Sequence, residues 1–293
     1  MNCMRASPWR RESAVGCFLA AAGLIAMGPP ASVAAPAAAR PSPATVAAWD
    51  RYFAWADGKV KEEVADPDRF LIEDSLSPSD RAHVKRRLES GGIVVHKRTG
   101  IIPAGTKLNM PDGELHHWWG AILVPGARLP ALITFLQDYG NHAGRFADVV
   151  RSQMLRRDGD HFEFYFRLRR TKAFVTVTYN TEQYCDYFNL GRGRIWSRSV
   201  ATKIAELADV DTPQEREKPP GQDRGFLWRL ASWWRFQETD RGVIVECESA
   251  SLSRDIPTLI RLIPGVAGYI RSMPRESLES ILATIRRHAE SAP

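Results

Sequence analysis

The sequence predicts an α+β fold in which a meander of antiparallel strands wraps around a C-terminal helix. Most of residues 92–254 alternate apolar and polar side chains with a period of two, which is typical of strands with one buried face. Residues 274–290 instead repeat apolar side chains at helical spacing. A sheet with one apolar face must be covered, and the last helix is the obvious cover.

The first 34 residues have the parts of a secretory signal. Arg5, Arg10 and Arg11 precede a short apolar run, and small residues follow around Ala34 or Ala39. We therefore expect residues 1–34 to be a Sec-type signal peptide and the mature protein to be periplasmic or secreted. An uncleaved N-terminal anchor is the alternative, although the apolar run is short for a membrane span.

The composition is that of an ordinary globular protein, with 44% hydrophobic and 25% charged residues. The formal net charge of +6 is spread over scattered basic residues without a long run. This pattern argues against a nucleic-acid partner and leaves a transient membrane contact open. We expect Cys185 and Cys247, the two cysteines beyond the signal, to be free and buried. They should lie on two strands that have one other strand between them.

Residues 35–91 are expected to form a linker and an N-terminal helical extension. Prolines and small residues dominate the first ten positions. Two helical patterns follow, the second starting at a serine and stopping at Gly91–Gly92. In the first pattern, Trp49, Tyr52, Phe53 and Val60 form an aromatic stripe that is expected to pack against the main domain.

Residues 92–290 are expected to form that main domain. Asp158–Gly159 is a strong hairpin signal, and it leads into a strand with phenylalanines on one face. The polar segment 211–223 is expected to be a surface loop. In the hairpin of residues 232–252, alternation places Arg235 opposite Glu246 and Trp233 opposite Glu248, so we expect these charges to form a solvated outer face.

This order of elements resembles the helix-grip domain of the START-like and polyketide-cyclase-like (SRPBCC) superfamily. The similarity is most specific over residues 227–287, from "LWRLASWWRF" to the proline-started final helix "MPRESLESILATIRR". The resemblance implies a seven-stranded antiparallel sheet gripping the C-terminal helix around a cavity for lipids or other hydrophobic molecules. The superfamily has no shared catalytic motif, so the resemblance implies no catalytic residues.

The leading functional hypothesis is an exported, non-enzymatic binder of a hydrophobic small molecule of the lipid, isoprenoid or quinone type. The molecule would lie between the sheet and the C-terminal helix. Residues expected to line that space are Phe162, Phe164, Phe166, Val175, Val177, Trp234, Phe236, Leu278, Ile281 and Leu282. No cofactor is expected. No metal is expected either, because the adjacent His116 and His117 point to opposite faces of a strand.

Two other functions fit the same sequence. The first is a cyclase- or hydrolase-type enzyme on the same fold, with polar residues near the cavity performing proton transfer. Its candidate residues are Tyr165, Tyr179, Tyr187, Asp138, His116 and Arg254, and Tyr165 is expected to point outward. The second is an interaction module that exposes aromatic side chains such as Trp49 and Trp55.

Overall fold

The computed structural model describes residues 40–98, 110–172, 175–256, 268 and 271–291. The predicted signal peptide lies outside these ranges. The helices are α1 (Pro43–Ala65), α2 (Pro78–Glu89), α3 (Leu129–Gln137) and α4 (Met273–Ser291). The strands are β1 (Val94–Lys97), β2 (Gly113–Pro125), β3 (Val149–Asp158), β4 (His161–Lys172), β5 (Val175–Gly191), β6 (Arg194–Ala208), β7 (Arg216–Glu217), β8 (Arg229–Thr239) and β9 (Gly242–Arg254). Within the described ranges, no helix has both the length and the apolar character needed to cross a bilayer.

The strands form one antiparallel sheet in the order β1-β2-β9-β8-β6-β5-β4-β3, with β7 paired to β6. The predicted α+β class is confirmed, with its antiparallel sheet, C-terminal helix and N-terminal helices. The expected number of seven strands is wrong, because the strands of the described ranges form a sheet of nine. One extra pairing arises inside the expected surface loop, where Arg216 and Glu217 pair with the end of β6.

The inner face of the sheet, defined as the face that carries Phe162 and Phe164, packs against α4. Leu278, Leu282 and Ile285 of α4 are at most 2% exposed in this core. The main sheet contacts of α4 are with β1, β2 and β9. Gly120 of β2 permits the close approach, since a Cβ atom there would lie 2.7 Å from Leu282 Cδ1.

The outer face of the sheet is covered by α1 at β8 and β9. The helix starts at Ser42, whose Oγ accepts a hydrogen bond from the Thr45 N–H at 3.1 Å. The predicted stripe packs against the domain as expected, with Trp49 and Tyr52 in one buried cluster with Trp233. Trp49 is only 5% exposed, so it does not offer the aromatic surface expected of an interaction module.

The hairpin of β8 and β9 has the predicted register but not the predicted environment. Arg235 pairs with Glu246 and Trp233 with Glu248, as alternation indicated. The expectation that these charges face solvent is wrong, because Arg235, Glu246 and Glu248 are at most 3% exposed. Alternation reveals which residues share a face, but here the helical extension covers the polar face as well.

The two cysteines are free and buried, as expected. Cys185 lies on β5 and Cys247 on β9, and both β6 and β8 separate them in the sheet. The expected separation by one strand is therefore wrong. Two intervening strands place the thiols farther apart than a disulfide can reach.

Replacing Gly120 by Ala is expected to lower the free energy of unfolding by about 1–3 kcal/mol, because the new methyl group must displace Leu282. Urea denaturation measures the change. Gly58→Ala in α1 is the matched control, since no atom lies within 4 Å of the added Cβ and Ala favours helix. A stabilising effect of both substitutions would contradict the close packing of α4 on β2.

Candidate functional site

Most of the predicted lining residues lie together between the sheet and α4. Phe162, Phe164, Phe236, Leu278 and Leu282 belong to one buried core, and Phe166, Trp234 and Ile281 pack against it while staying partly exposed. Val177 is also buried, on β5. Val175 lies in β5, but its side chain is outside the described part of the chain.

The buried and the partly exposed members of this set have different possible roles. Phe162 and Leu282 have no accessible surface, so neighbouring side chains already fill the space around them. Phe166, Trp234 and Ile281 keep some accessible surface on the same face. A bound molecule would therefore contact the second group first, and the first group would form the wall behind it.

A row of small side chains crosses the middle of the inner face. Cys185, Ser199, Ser232 and Ser249 lie opposite one another in register on β5, β6, β8 and β9. Ser232 and Ser249 remain partly exposed although β8 and β9 are interior strands. The main sheet contacts of α4 are with β1, β2 and β9, and the row extends from β9 away from β1 and β2 to β5.

Two tryptophans flank this serine row. Trp118 lies opposite Ser249, and Trp234 donates a hydrogen bond from Nε1 to Ser232 Oγ at 3.2 Å. The Trp118 Nε1 donor is buried and has no hydrogen-bond partner among the described residues. A buried N–H without an acceptor is costly, so an acceptor oxygen of a ligand would stabilise this position.

A pair of phenols lies deeper in the same core. The Tyr139 and Tyr187 hydroxyl oxygens are 3.0 Å apart, and Tyr139 stacks on Phe164 with 3.9 Å between ring centroids. Burial raises the pKa of both tyrosines well above the usual value. Burial also raises the pKa of the adjacent Cys185 thiol to about 11. These groups are therefore neutral hydrogen-bonding partners at physiological pH.

The serine row and Tyr139 were missed by the sequence analysis. Serines recur with a period of two in β9, at Ser249, Ser251 and Ser253, and this spacing would have placed them on one face. No comparable spacing in the sequence predicts the position of Tyr139, which reaches the core from a 3₁₀ turn between α3 and β3.

The candidate residues of the enzyme hypothesis do not converge. Tyr165 donates to Asn180 Oδ1 at 2.6 Å, on the face opposite the phenylalanines of β4, as expected for an outward-pointing side chain. Asp138 caps the end of α3 and pairs with Arg145 at 2.7 Å. Tyr179 is buried on β5, and Arg254 ends β9.

His116 and His117 lie on opposite faces, as predicted. His116 Nε2 is 3.0 Å from Ser253 Oγ on the inner side, whereas His117 contacts Tyr52 and Glu248 beneath α1. Burial lowers the pKa of His116, so the imidazole is neutral at pH 7. No group of three metal-ligating side chains occurs in the described ranges.

A second cluster of titratable groups lies beneath the helical extension. Arg235 Nη2 is 2.6 Å from Glu63 Oε2 of α1 and 3.0 Å from Glu248 Oε1 of β9. Burial tends to raise the pKa of Glu248, but the hydrogen bond to His117 and the charge of Arg235 lower it to about 2. Glu248 is therefore the anion that, with Glu63, neutralises Arg235.

Glu246 in the same cluster behaves differently. Burial raises its pKa to about 8, even though the charge of Arg235 and the Ile72 N–H, which donates to Glu246 Oε2 at 2.6 Å, favour the carboxylate. The residue is fully buried. The cluster is thus closed to solvent and joins the extension to the sheet, which fits a positioning role better than a catalytic one.

Proteins similar to this chain are found among solved structures. No protein-family model matches the sequence, and no curated protein matches it significantly. The chain is similar in structure to a STAR-related lipid transfer protein from Xanthomonas axonopodis (TM-score 0.44, 18% identity, 68% of this chain and 94% of that chain). It is also similar to the lipid transfer and protein localization domain of human StarD13 (0.40, 10%, 73% and 97%) and to the Zhui aromatase/cyclase from Streptomyces sp. R1128 (0.39, 13%, 60% and 94%).

Replacing Glu246 by Gln is expected to make unfolding less sensitive to alkaline pH. The folded-state pKa of about 8 lies above the ordinary value of 4.5, so this group stabilises the fold fully below about pH 4.5 and progressively less up to pH 8. Gln does not ionise. The free energy of unfolding of the variant, relative to that of the wild type, should therefore rise by up to about 1.4 kcal/mol per pH unit between pH 4.5 and pH 8.

Urea denaturation at about pH 5, 7 and 9 measures this difference. Glu62→Gln is the matched control, because Glu62 is an exposed residue of the same helical extension. The control should follow the wild-type pH profile. Parallel profiles for Glu246→Gln and the wild type would show that Glu246 is ionised in the folded protein.

Proposed function

We propose that the protein binds a hydrophobic small molecule of the lipid, isoprenoid or quinone type between the inner face of the sheet and α4. The observation that carries this proposal is the serine row. Ser232 and Ser249 lie in β8 and β9, two neighbouring interior strands, face the α4 side and still have accessible surface. In a filled core, positions at the centre of a sheet would have none.

The surroundings of the serine row suit a mostly apolar molecule with one polar group. Phe166, Leu168, Ile195 and Trp234 offer partly exposed apolar surface on the same side of the sheet. Hydrogen bonds would come from the serine hydroxyls and from the Trp118 N–H, which has no partner among the residues that the structure describes. Small-molecule sites commonly combine an apolar lining with a few polar groups that fix orientation.

We also propose that the protein acts outside the cytoplasm, in the periplasm or after secretion. The arginines, the short apolar run and the small residues of residues 1–34 support this location. N-terminal sequencing of the protein recovered from host cell fractions tests it. Recovery of the intact N-terminus in the cytoplasmic fraction would contradict export.

Native mass spectrometry of the protein purified from its own host, followed by organic extraction, tests the binding function. We expect one apolar molecule per chain, released into the organic phase. Protein that is reproducibly empty and that takes up no fluorescent lipid would contradict the proposal.

Replacing Ser249 by Leu is expected to fill the space beside α4. The larger side chain should weaken ligand uptake about tenfold or more while changing the free energy of unfolding by less than about 1.5 kcal/mol, because it occupies open volume. Fluorescent-lipid titration and urea denaturation measure the two effects. Ser79→Leu, at an exposed position of α2, is the control and should leave uptake unchanged; equal uptake by both variants would place the ligand elsewhere.

A hydrolase-type activity is the second candidate function, and the pair His116–Ser253 is the observation that favours it. The pair is 3.0 Å apart and its imidazole is neutral, as a nucleophile and its base would require. However, the Ser253 hydroxyl donates to the Arg254 carbonyl at 3.1 Å, so the imidazole N–H donates to Ser253. Activation of Ser253 would require the other tautomer.

Assays with short- and long-chain esters distinguish the two functions. Hydrolysis that Ser253→Ala abolishes, with lipid uptake unchanged, would establish the enzyme. If the wild type hydrolyses no ester, or if Ser253→Ala hydrolyses esters as fast as the wild type, the His116–Ser253 contact is a structural hydrogen bond. Binding of a hydrophobic molecule is then the remaining proposed function.

A further inference from the structure

We propose that the outer face of the sheet carries a second binding site, which takes a phosphate-type oxyanion. An open cleft of about 450 Å³ lies at the ends of β4, β5 and β6 and is bordered by the loop after β6. Its polar lining consists of Arg169, Arg224, Thr171, Thr176, Thr178 and Asp211. The site goes beyond the hydrophobic binding function, because it lies on the sheet face opposite α4.

The strand register brings the polar residues of β4 and β5 together. Arg169 pairs with Thr178, and Thr171 pairs with Thr176. Odd-numbered residues of β4 point away from the phenylalanine face that packs on α4. Two cross-strand pairs therefore place three hydroxyl groups and a guanidinium on one patch of the outer face.

One buried donor at this cleft has no acceptor. The Nε donor of Arg169 is buried without a partner in the part of the chain that the structure describes. Thr178, which also lines the cleft, is only 2% exposed. Buried polar groups without partners are rare and call for an explanation, and an acceptor oxygen of a ligand would satisfy the Arg169 donor.

The guanidinium of Arg169 is held in place by the loop after β6. Arg169 Nη2 donates to Asp211 Oδ2 at 2.7 Å, and the Asp211 N–H donates to Glu215 Oε2 at 3.0 Å. Arg167 in turn pairs with Glu215 at 2.8 Å. Asp209 and Asp211 both adopt left-handed backbone conformations, with φ of 52° and 62°, which persist only where the surroundings fix them.

Arg224 is held in a comparable way on the other side of the cleft. Its Nε donates to Glu206 Oε1 at 2.7 Å, and its Nη2 donates to the Thr176 carbonyl at 3.1 Å. Each arginine is thus oriented by one carboxylate and keeps further N–H groups for a ligand. Guanidinium groups oriented in this way match the geometry of phosphate oxygens.

The lining chemistry and the size define the ligand class. Asp211 is the only carboxylate among the lining residues, and Arg169 already neutralises it. A volume of about 450 Å³ is within the range of small-molecule sites. It would hold about fifteen waters at roughly 30 Å³ each, so the phosphoryl group would belong to a larger molecule, either soluble or a lipid headgroup.

Binding measurements with three probes test the site. They also distinguish a soluble phosphorylated molecule from a lipid headgroup. Calorimetric titration with inorganic phosphate and with glycerol 3-phosphate reports a soluble ligand, and co-sedimentation with phosphatidate vesicles against phosphatidylcholine vesicles reports a headgroup. We expect binding of at least one phosphoryl probe. Absence of binding to all three would overturn the proposal, whatever the inner face binds.

Variants then locate the bound probe. Arg169→Gln should weaken binding about tenfold or more, since it removes a charge-assisted hydrogen bond, and Thr178→Val, which keeps the side-chain shape, should weaken it severalfold. Arg156→Gln is the matched control, because Arg156 is an exposed arginine of β3 that also pairs with an acid, Asp158. Equal loss in Arg169→Gln and Arg156→Gln, or full binding by Thr178→Val, would overturn the assignment.

Discussion

The ion pairs of Arg235 with Glu63 and Glu248 are the constraint on which the rest of the structure depends. The guanidinium is 1% exposed, and its two carboxylates come from α1 and β9. Removing one partner of a buried pair leaves a charge without compensation, which costs about 3–5 kcal/mol. The helical extension therefore stays on the outer face and covers β8 and β9, so the α4 side is the face of these two strands that a hydrophobic ligand can reach.

The position of α4 then determines where that ligand can lie. Because Gly120 lacks a side chain, the helix lies close to β2, and its main contacts are with β1, β2 and β9. The opposite half of the inner face receives less of the helix. Ser199, Ser232 and Ser249 occupy the boundary between the two halves, and this boundary is where we propose that the ligand lies.

Much of the fold could be predicted from the sequence, because alternation and helical spacing are local signals. They gave the register of Arg235 with Glu246 and the stripe that includes Trp49. Alternation does not report what covers a polar face, so the burial of Glu246 could not be predicted. The partly exposed Ser232 and the buried Tyr139 depend on where α4 and a 3₁₀ turn dock, and those contacts are distant in sequence.

The charge state of four polar groups on the inner face indicates that the polar end of the proposed ligand is uncharged. Burial raises the pKa of Tyr139, Tyr187 and Cys185, and burial lowers the pKa of His116, so all four are neutral at pH 7. A charged headgroup placed among them would lose its hydration without gaining an opposite charge. A carbonyl or hydroxyl needs only hydrogen bonds, which serine hydroxyls and an indole N–H supply. The proposed inner site thus favours molecules whose polar end is uncharged, such as quinones or isoprenoid alcohols, over anionic lipids.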